Sequence, residues 1–173
     1  MRILSLRRLV LGALLTCTLP AWAQASAPRN DAPAFDVRGT TLDGKPFSLG
    51  SLRGKVVMVF FWSTDCAVCR SKMPELRANA EGWRGKPFEL VFVSVDRRRA
   101  DLVDYDKAWS ATQSVALRFP SLWAGEAGYA DTLRMRPQHL PLSFVLDAQG
   151  SVRARFEGRI PAEAWDAVAE LLP

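Results

Sequence analysis

Residues 56–62, Val-Val-Met-Val-Phe-Phe-Trp, form an unbroken apolar run rich in β-branched and aromatic side chains, and after three more residues Cys66 and Cys69 stand in a C-x-x-C spacing. A strand without polar alternation is buried on both faces, which requires a sheet covered on both sides. A second run of the same character, Glu89 to Val95, follows, and the segment from about Cys66 to Gly82 between the two runs reads as a helix. Strand, helical crossover and strand predict an α/β domain. In open sheets of this class chemistry collects beyond the carboxyl ends of central strands. The two cysteines occupy that position.

The remaining chain fits around this unit. Phe35-Asp36-Val37 and Pro46 to Leu49 flank Leu42-Asp43-Gly44-Lys45, whose Asp-Gly pair marks a hairpin turn. Helices are expected from Arg98 to Ser110 and from Gly128 to Met135. Ser143 to Asp147 and Val152 to Phe156 read as a hairpin around Gln149-Gly150, and a last helix runs from about Pro161 to Leu172, with Pro161 in its first turn. The expected architecture is α/β, a mixed central β-sheet with helices on both faces and an N-terminal β-hairpin extension, spanning residues 34–173.

The chain's beginning reads differently. Arg2, Arg7 and Arg8 precede an apolar stretch from Leu9 to Leu19, and Ala21-Trp22-Ala23 supplies a small-residue cleavage signal. Residues 1–23 are therefore expected to be a signal peptide and 24–33 (QASAPRNDAP) a flexible linker; left uncleaved, the leader would anchor the protein to a membrane. Cleavage removes three arginines and no acid, taking the net charge from +5 to +2, too mild a balance to suggest nucleic acid. It also removes Cys17, leaving Cys66 and Cys69 in an extracytoplasmic compartment such as the periplasm, where disulfides persist.

A structural zinc site takes about four ligands, whereas the mature chain offers His139 and two cysteines. Covalent haem attachment needs histidine directly after the second cysteine, and Arg70 stands there. A structural staple across three residues closes a small loop and removes little entropy from the unfolded chain. A redox pair uses both sulfurs: at a helix start the unpaired N–H groups and the dipole favour the Cys66 thiolate, while Cys69, one turn on, lies within reach to resolve a mixed disulfide. Cu(I) handling by Cys66, Cys69 and His139 is the main alternative, since thiolates suit that soft ion, and a non-catalytic binding domain is a third reading.

Two blocks carry a resemblance: APAFDVRGTTLDGKPFSLGSLRGKVVMVFFWSTDCAVCRSKMPEL and, further on, LPLSFVLDAQG. They resemble the exported thiol-disulfide oxidoreductases of the TlpA/ResA/CcmG type over essentially all of residues 33–173. The resemblance implies a thioredoxin-like fold and an enzyme with catalytic Cys66 and Cys69, no metal, and no cofactor beyond the redox-active Cys66–Cys69 disulfide. It implies a substrate-binding surface involving Trp62, Leu140 and Pro141, a cis bond before Pro141, and a helix kink at Pro74. Members of that family usually carry tryptophan where Asp65 stands and proline where Val68 stands, often a polar or acidic residue at Phe60, and commonly glycine at His139. Asp65, a helix cap or a redox modulator, and His139 are the candidate modulators.

By the same resemblance the protein is expected to reduce disulfides of client proteins, for example apocytochrome c or a copper-assembly protein, in cytochrome c biogenesis or related redox folding. A membrane thiol transporter of the DsbD or CcdA kind would recharge it. A monomer is expected.

Overall fold

The structure, a computed structural model, describes residues 35–112, 118–133 and 137–173. The expected signal peptide and linker lie outside the described residues.

The central sheet has five strands, in the spatial order β5 (Ser121–Trp123), β4 (Phe88–Ser94), β3 (Val56–Trp62), β7 (Leu142–Leu146) and β8 (Val152–Glu157). Its spine is β3 (Val56–Trp62), the apolar run, in which all seven residues are buried. One side lies parallel to β4 (Phe88–Ser94), itself parallel to the short edge strand β5 (Ser121–Trp123). On the other side β7 (Leu142–Leu146) runs antiparallel to β3 and pairs with β8 (Val152–Glu157), making the sheet mixed as expected. The β7–β8 turn is closed at Gly150, whose φ of 75° suits glycine.

Because side chains alternate across a strand, β3 feeds two cores. Val56, Met58, Phe60 and Trp62 face one, with Leu90 and Phe92 of β4. Val57, Val59 and Phe61 face the other, with Val91, Val93, Phe144 and Leu146. Each fully buried side chain of this size contributes about 1.5–3 kcal/mol.

The first core is roofed by α1 (Ala67–Gly82), α2 (Arg99–Ser110) and α3 (Glu163–Leu171), through Met73 and Leu76, Leu102, and Ala164 and Val168 respectively. The opposite face is covered instead by a small sheet and a 3₁₀ turn at Leu49–Leu52. That small sheet has the order β2–β1–β6 and comprises β1 (Val37–Thr40), β2 (Pro46–Ser48) and β6 (Ala130–Asp131). Helices on both faces are thus not observed among the described residues. The N-terminal hairpin, joined at the Asp-Gly turn where Gly44 has φ 82°, takes the second layer's place. A bridge between Thr41 and Leu122 and a bond from Leu42 N–H to the Ser121 carbonyl, 2.8 Å, fasten it to the central sheet.

Two further expectations need correction. The helix expected from Gly128 to Met135 is absent over its described part, because Ala130 and Asp131 spend their backbone groups on β1, opposite Arg38 and Val37. Residues 134–136 lie outside the described residues. Also, α3 begins at Glu163, so Pro161 precedes its first turn, though its carbonyl accepts the Ala164 N–H at 3.2 Å. Among the described residues no helix is long and apolar enough to cross a membrane.

Candidate active site

Cys66 and Cys69 are joined by a disulfide where β3 hands over to α1. Cys66 is the residue capping α1, in extended backbone, and its Sγ accepts the Cys69 N–H at 3.1 Å. One of the four N–H groups left over at a helix start therefore points at this sulfur. The sulfurs have different surroundings: Cys66 is half-buried, while Cys69 has no exposed surface and belongs to the core with Met73 and Leu76. Between them Ala67 and Val68 are exposed, Val68 to 43%, an apolar tip unusual for a side chain of its size on this surface.

The turn leading into the pair is tightly wired. Cys66 N–H donates to the Ser63 carbonyl at 3.2 Å, and Ser63 Oγ donates to the Asp65 carboxylate. Thr64 is gripped from both sides. Its N–H and Oγ1 each donate to Asp96 Oδ1 at 2.8 Å, and its carbonyl accepts from the Arg70 guanidinium. Asp96, 6% exposed, also accepts from Ser94 Oγ at 2.6 Å through Oδ2, while its carbonyl receives Trp123 Nε1 at 2.8 Å. Sequence reasoning overlooked Asp96, although the alternation Ser94-Val95-Asp96 closing an apolar strand was a readable signal for polar groups aimed at a strand end.

The other expected site residues fall as follows. Asp65 is exposed and precedes the capping residue, so the cap itself is Cys66. Trp62 is 2% exposed and packs inside the core, its ring 4.9 Å from Tyr105; its Nε1 finds no hydrogen-bond partner among the described residues. Phe60 is fully buried in the same core as Cys69, in edge-to-face contact with Phe92. The Leu140–Pro141 bond is cis. Leu140 is partly buried against both cores, Pro141 is buried, its carbonyl accepts Gly158 N–H at 2.8 Å, and His139 is exposed. Pro74 lies within α1 and is exposed; a proline there cannot donate to the Arg70 carbonyl. Among the described residues no group of three or more His, Cys, Asp or Glu is gathered in a way that could hold a metal ion.

A cleft of about 600 Å³ lies to one side, lined by Trp62, Met73, Arg77, Tyr105, Phe119 and the Thr41–Phe47 turn, without either cysteine. Arg77 sits over the rings of Trp109, at 4.9 Å, and Phe92, at 5.5 Å, and burial pushes its pKa down. Burial pushes the Tyr105 hydroxyl up, against the opposing influence of Arg77 and Arg70.

A buried and a half-buried sulfur, already bonded to each other at a helix start, can exchange disulfides with a third sulfur that approaches from the exposed side. Comparison with known proteins agrees with that chemistry. A model of the AhpC/TSA family matches residues 28–155. The chain is 29% identical over 128 residues to thiol-disulfide oxidoreductase ResA of Bacillus cereus, covering 74% of this chain and 68% of the relative. It is 26% identical over 123 residues to the ResA of Bacillus subtilis, covering 71% and 63%. It also superposes on a thiol:disulfide interchange protein of the thioredoxin family from Chlorobium tepidum with a TM-score of 0.64 and 27% identity, over 84% of this chain and 99% of that one.

Proposed function

The chain belongs to the AhpC/TSA family and is a ResA-like thiol-disulfide oxidoreductase on a thioredoxin fold, and from that premise we propose that it works outside the cytosol, reducing disulfides in client proteins. The observation that carries this reading is the unequal burial of two sulfurs at the head of α1.

In the reduced protein the Cys66 thiolate attacks one sulfur of a client disulfide. A Cys66–client bond forms, the client S–S bond breaks, and a client thiolate leaves. Cys69, deprotonated, then attacks Cys66 Sγ and expels the second client sulfur. The net change is two electrons to the client and a Cys66–Cys69 disulfide in the protein. Val68 and the partly buried Leu140 offer the client an apolar landing, with the Leu140 backbone available to an extended segment. Phe60 lies where relatives often hold a polar or acidic group, so the Cys69 proton leaves to water or to another group. An exported reductant needs recharging, a task for a membrane thiol transporter of the DsbD or CcdA kind, and clients in cytochrome c or copper-site assembly suit such a cycle. The leader at 1–23 supports export, and the mature chain acts as a monomer.

Insulin reduction tests the reading. Cys66→Ser abolishes turnover, and Cys69→Ser accumulates a covalent adduct with an insulin chain visible on a non-reducing gel. Equal rates for the parent and Cys66→Ser would overturn it. The full chain expressed in a Gram-negative host should appear in the periplasmic extract at the mass of residues 24–173.

A further inference from the structure

The carboxylate of Asp96 takes no part in the exchange chemistry, yet it is the most heavily bonded side chain near it. The geometry points to Asp96 as a positioning residue that fixes the Ser63–Cys66 turn and thereby holds the Cys66 sulfur on the Cys69 N–H of α1, setting its reactivity. The inference rests on the proposed use of Cys66 as the attacking sulfur.

Four observations converge. Asp96 lies just past the end of β4, beside the end of β3, where Val95 N–H donates to the Trp62 carbonyl at 2.8 Å. Its Oδ1 accepts both donors of Thr64, two residues before Cys66. Its Oδ2 is tied to Ser94 Oγ, and its own N–H returns to that hydroxyl at 3.1 Å, so the carboxylate cannot swing. Trp123 of edge strand β5 clamps its carbonyl. Charge-assisted bonds to backbone and hydroxyl are the strong kind. Thr64 thus has N–H, Oγ1 and carbonyl all engaged, the last by Arg70 of α1, and its neighbours Ser63 and Asp65 bond each other.

A charge role has the opposite sign. A carboxylate near a thiol disfavours its thiolate, so charge removal alone would make Cys66 more reactive, whereas loosening the turn makes it less so. The charged or titratable groups on the elements around Cys66 are Asp65 on the turn, Cys69, Arg70, Lys72, Glu75, Arg77 and Glu81 on α1, Asp96 with Arg97 after it, and His139 before β7; all but Asp96 are unchanged across the Asp96 variants.

The test measures iodoacetamide alkylation of Cys66 in the reduced protein from pH 5 to 10 by mass spectrometry. In Asp96→Ala the rate at pH 7 should fall about tenfold and the inflection move to higher pH, as for a thiol that loses helix-terminus stabilisation. Asp96→Asn keeps an acceptor for Thr64 and can donate to Ser94 Oγ, so it should stay within about twofold of the parent. A parental or faster Asp96→Ala overturns the inference, and so does Asp96→Asn as slow as Asp96→Ala. If Asp96→Ala does not fold, Thr64→Val, which loses one donor, should slow Cys66 about threefold while Thr64→Ser does not; a parental Thr64→Val then overturns it. Insulin turnover by the parent is scored separately, so loss of the functional reading is distinguishable from loss of the positioning role.

Discussion

Asp65 is the residue before Cys66, exposed, and bonded to Ser63 Oγ. Its carboxylate disfavours a thiolate beside it, and in a dithiol couple whatever disfavours the thiolate destabilises the reduced form. Asp65→Asn keeps the acceptor and removes the charge. The reduced form should gain, and the protein become a weaker reductant, its potential rising by up to about 30 mV for each unit the thiol pKa falls; equilibration against glutathione measures this, and an unchanged or lower potential contradicts it. At this scale the sequence was most legible for the sulfurs. The apolar strand and the helical segment after it placed Cys66 and Cys69 at a helix start, and the step from capping residue to first turn shows why one is half-buried and the other has no exposed surface. Trp62 was less legible: it ends an apolar strand next to a site, and only the packing of Tyr105 and Phe92 over its ring reveals that it points into the core. The wiring of Thr64 to Asp96 crosses 32 positions of chain, and such separations leave no local pattern to read.

Among elements, α1 and α3 are joined by a single carboxylate. Glu75 of α1 accepts Trp165 Nε1 of α3 at 2.6 Å and Lys72 Nζ at 2.7 Å. Burial pushes its pKa up, but the bonds from Lys72 and Trp165 outweigh this and hold it below the ordinary value of 4.5. A depressed folded pKa stabilises the protein above the unfolded value and ceases to do so as pH falls through the folded one. Glu75→Gln should therefore cost stability at pH 7 and lose that cost below pH 4.5. With the Glu75 side chain 42% exposed, solvent screening keeps the effect under about 1 kcal/mol; urea melts of both proteins at pH 7 and pH 3 check it. Elements with strong patterns were readable. β3 and β4 declared themselves by apolar runs, and both hairpins by their turn residues. β5 and β6 did not, having three and two residues, too short for a period to show. Residues 128–133 carry helix-favouring alanine and leucine, yet β1 offers them partners, and tertiary pairing overrides so weak a local preference.

For the whole molecule the sheet is a partition. Val168 of α3 and Val37 of β1 are both fully buried, in different cores separated by β3 and its neighbours. Replacing either by alanine should cost about 1.5–3 kcal/mol. The double variant should cost the sum within about 0.5 kcal/mol, since the sites share no partner; a larger coupling in denaturant titration would mean that the two layers communicate through the sheet. The α/β class and the mixed sheet were legible from the order of strands and helices. The layer opposite the helices was not, because covering a face requires knowing which side each crossover takes, and the hairpin's role there depends on Thr41 meeting Leu122 across 81 positions.

Phe35 stacks on Phe144 with ring centroids 4.6 Å apart and meets Phe61 edge-on, sealing the second core from the amino-terminal side. A peptidase acting on this chain would meet a frontier there. Cuts upstream of Phe35 spare the barrier between Phe144 and solvent, and cuts beyond it would expose aromatic surface that invites aggregation.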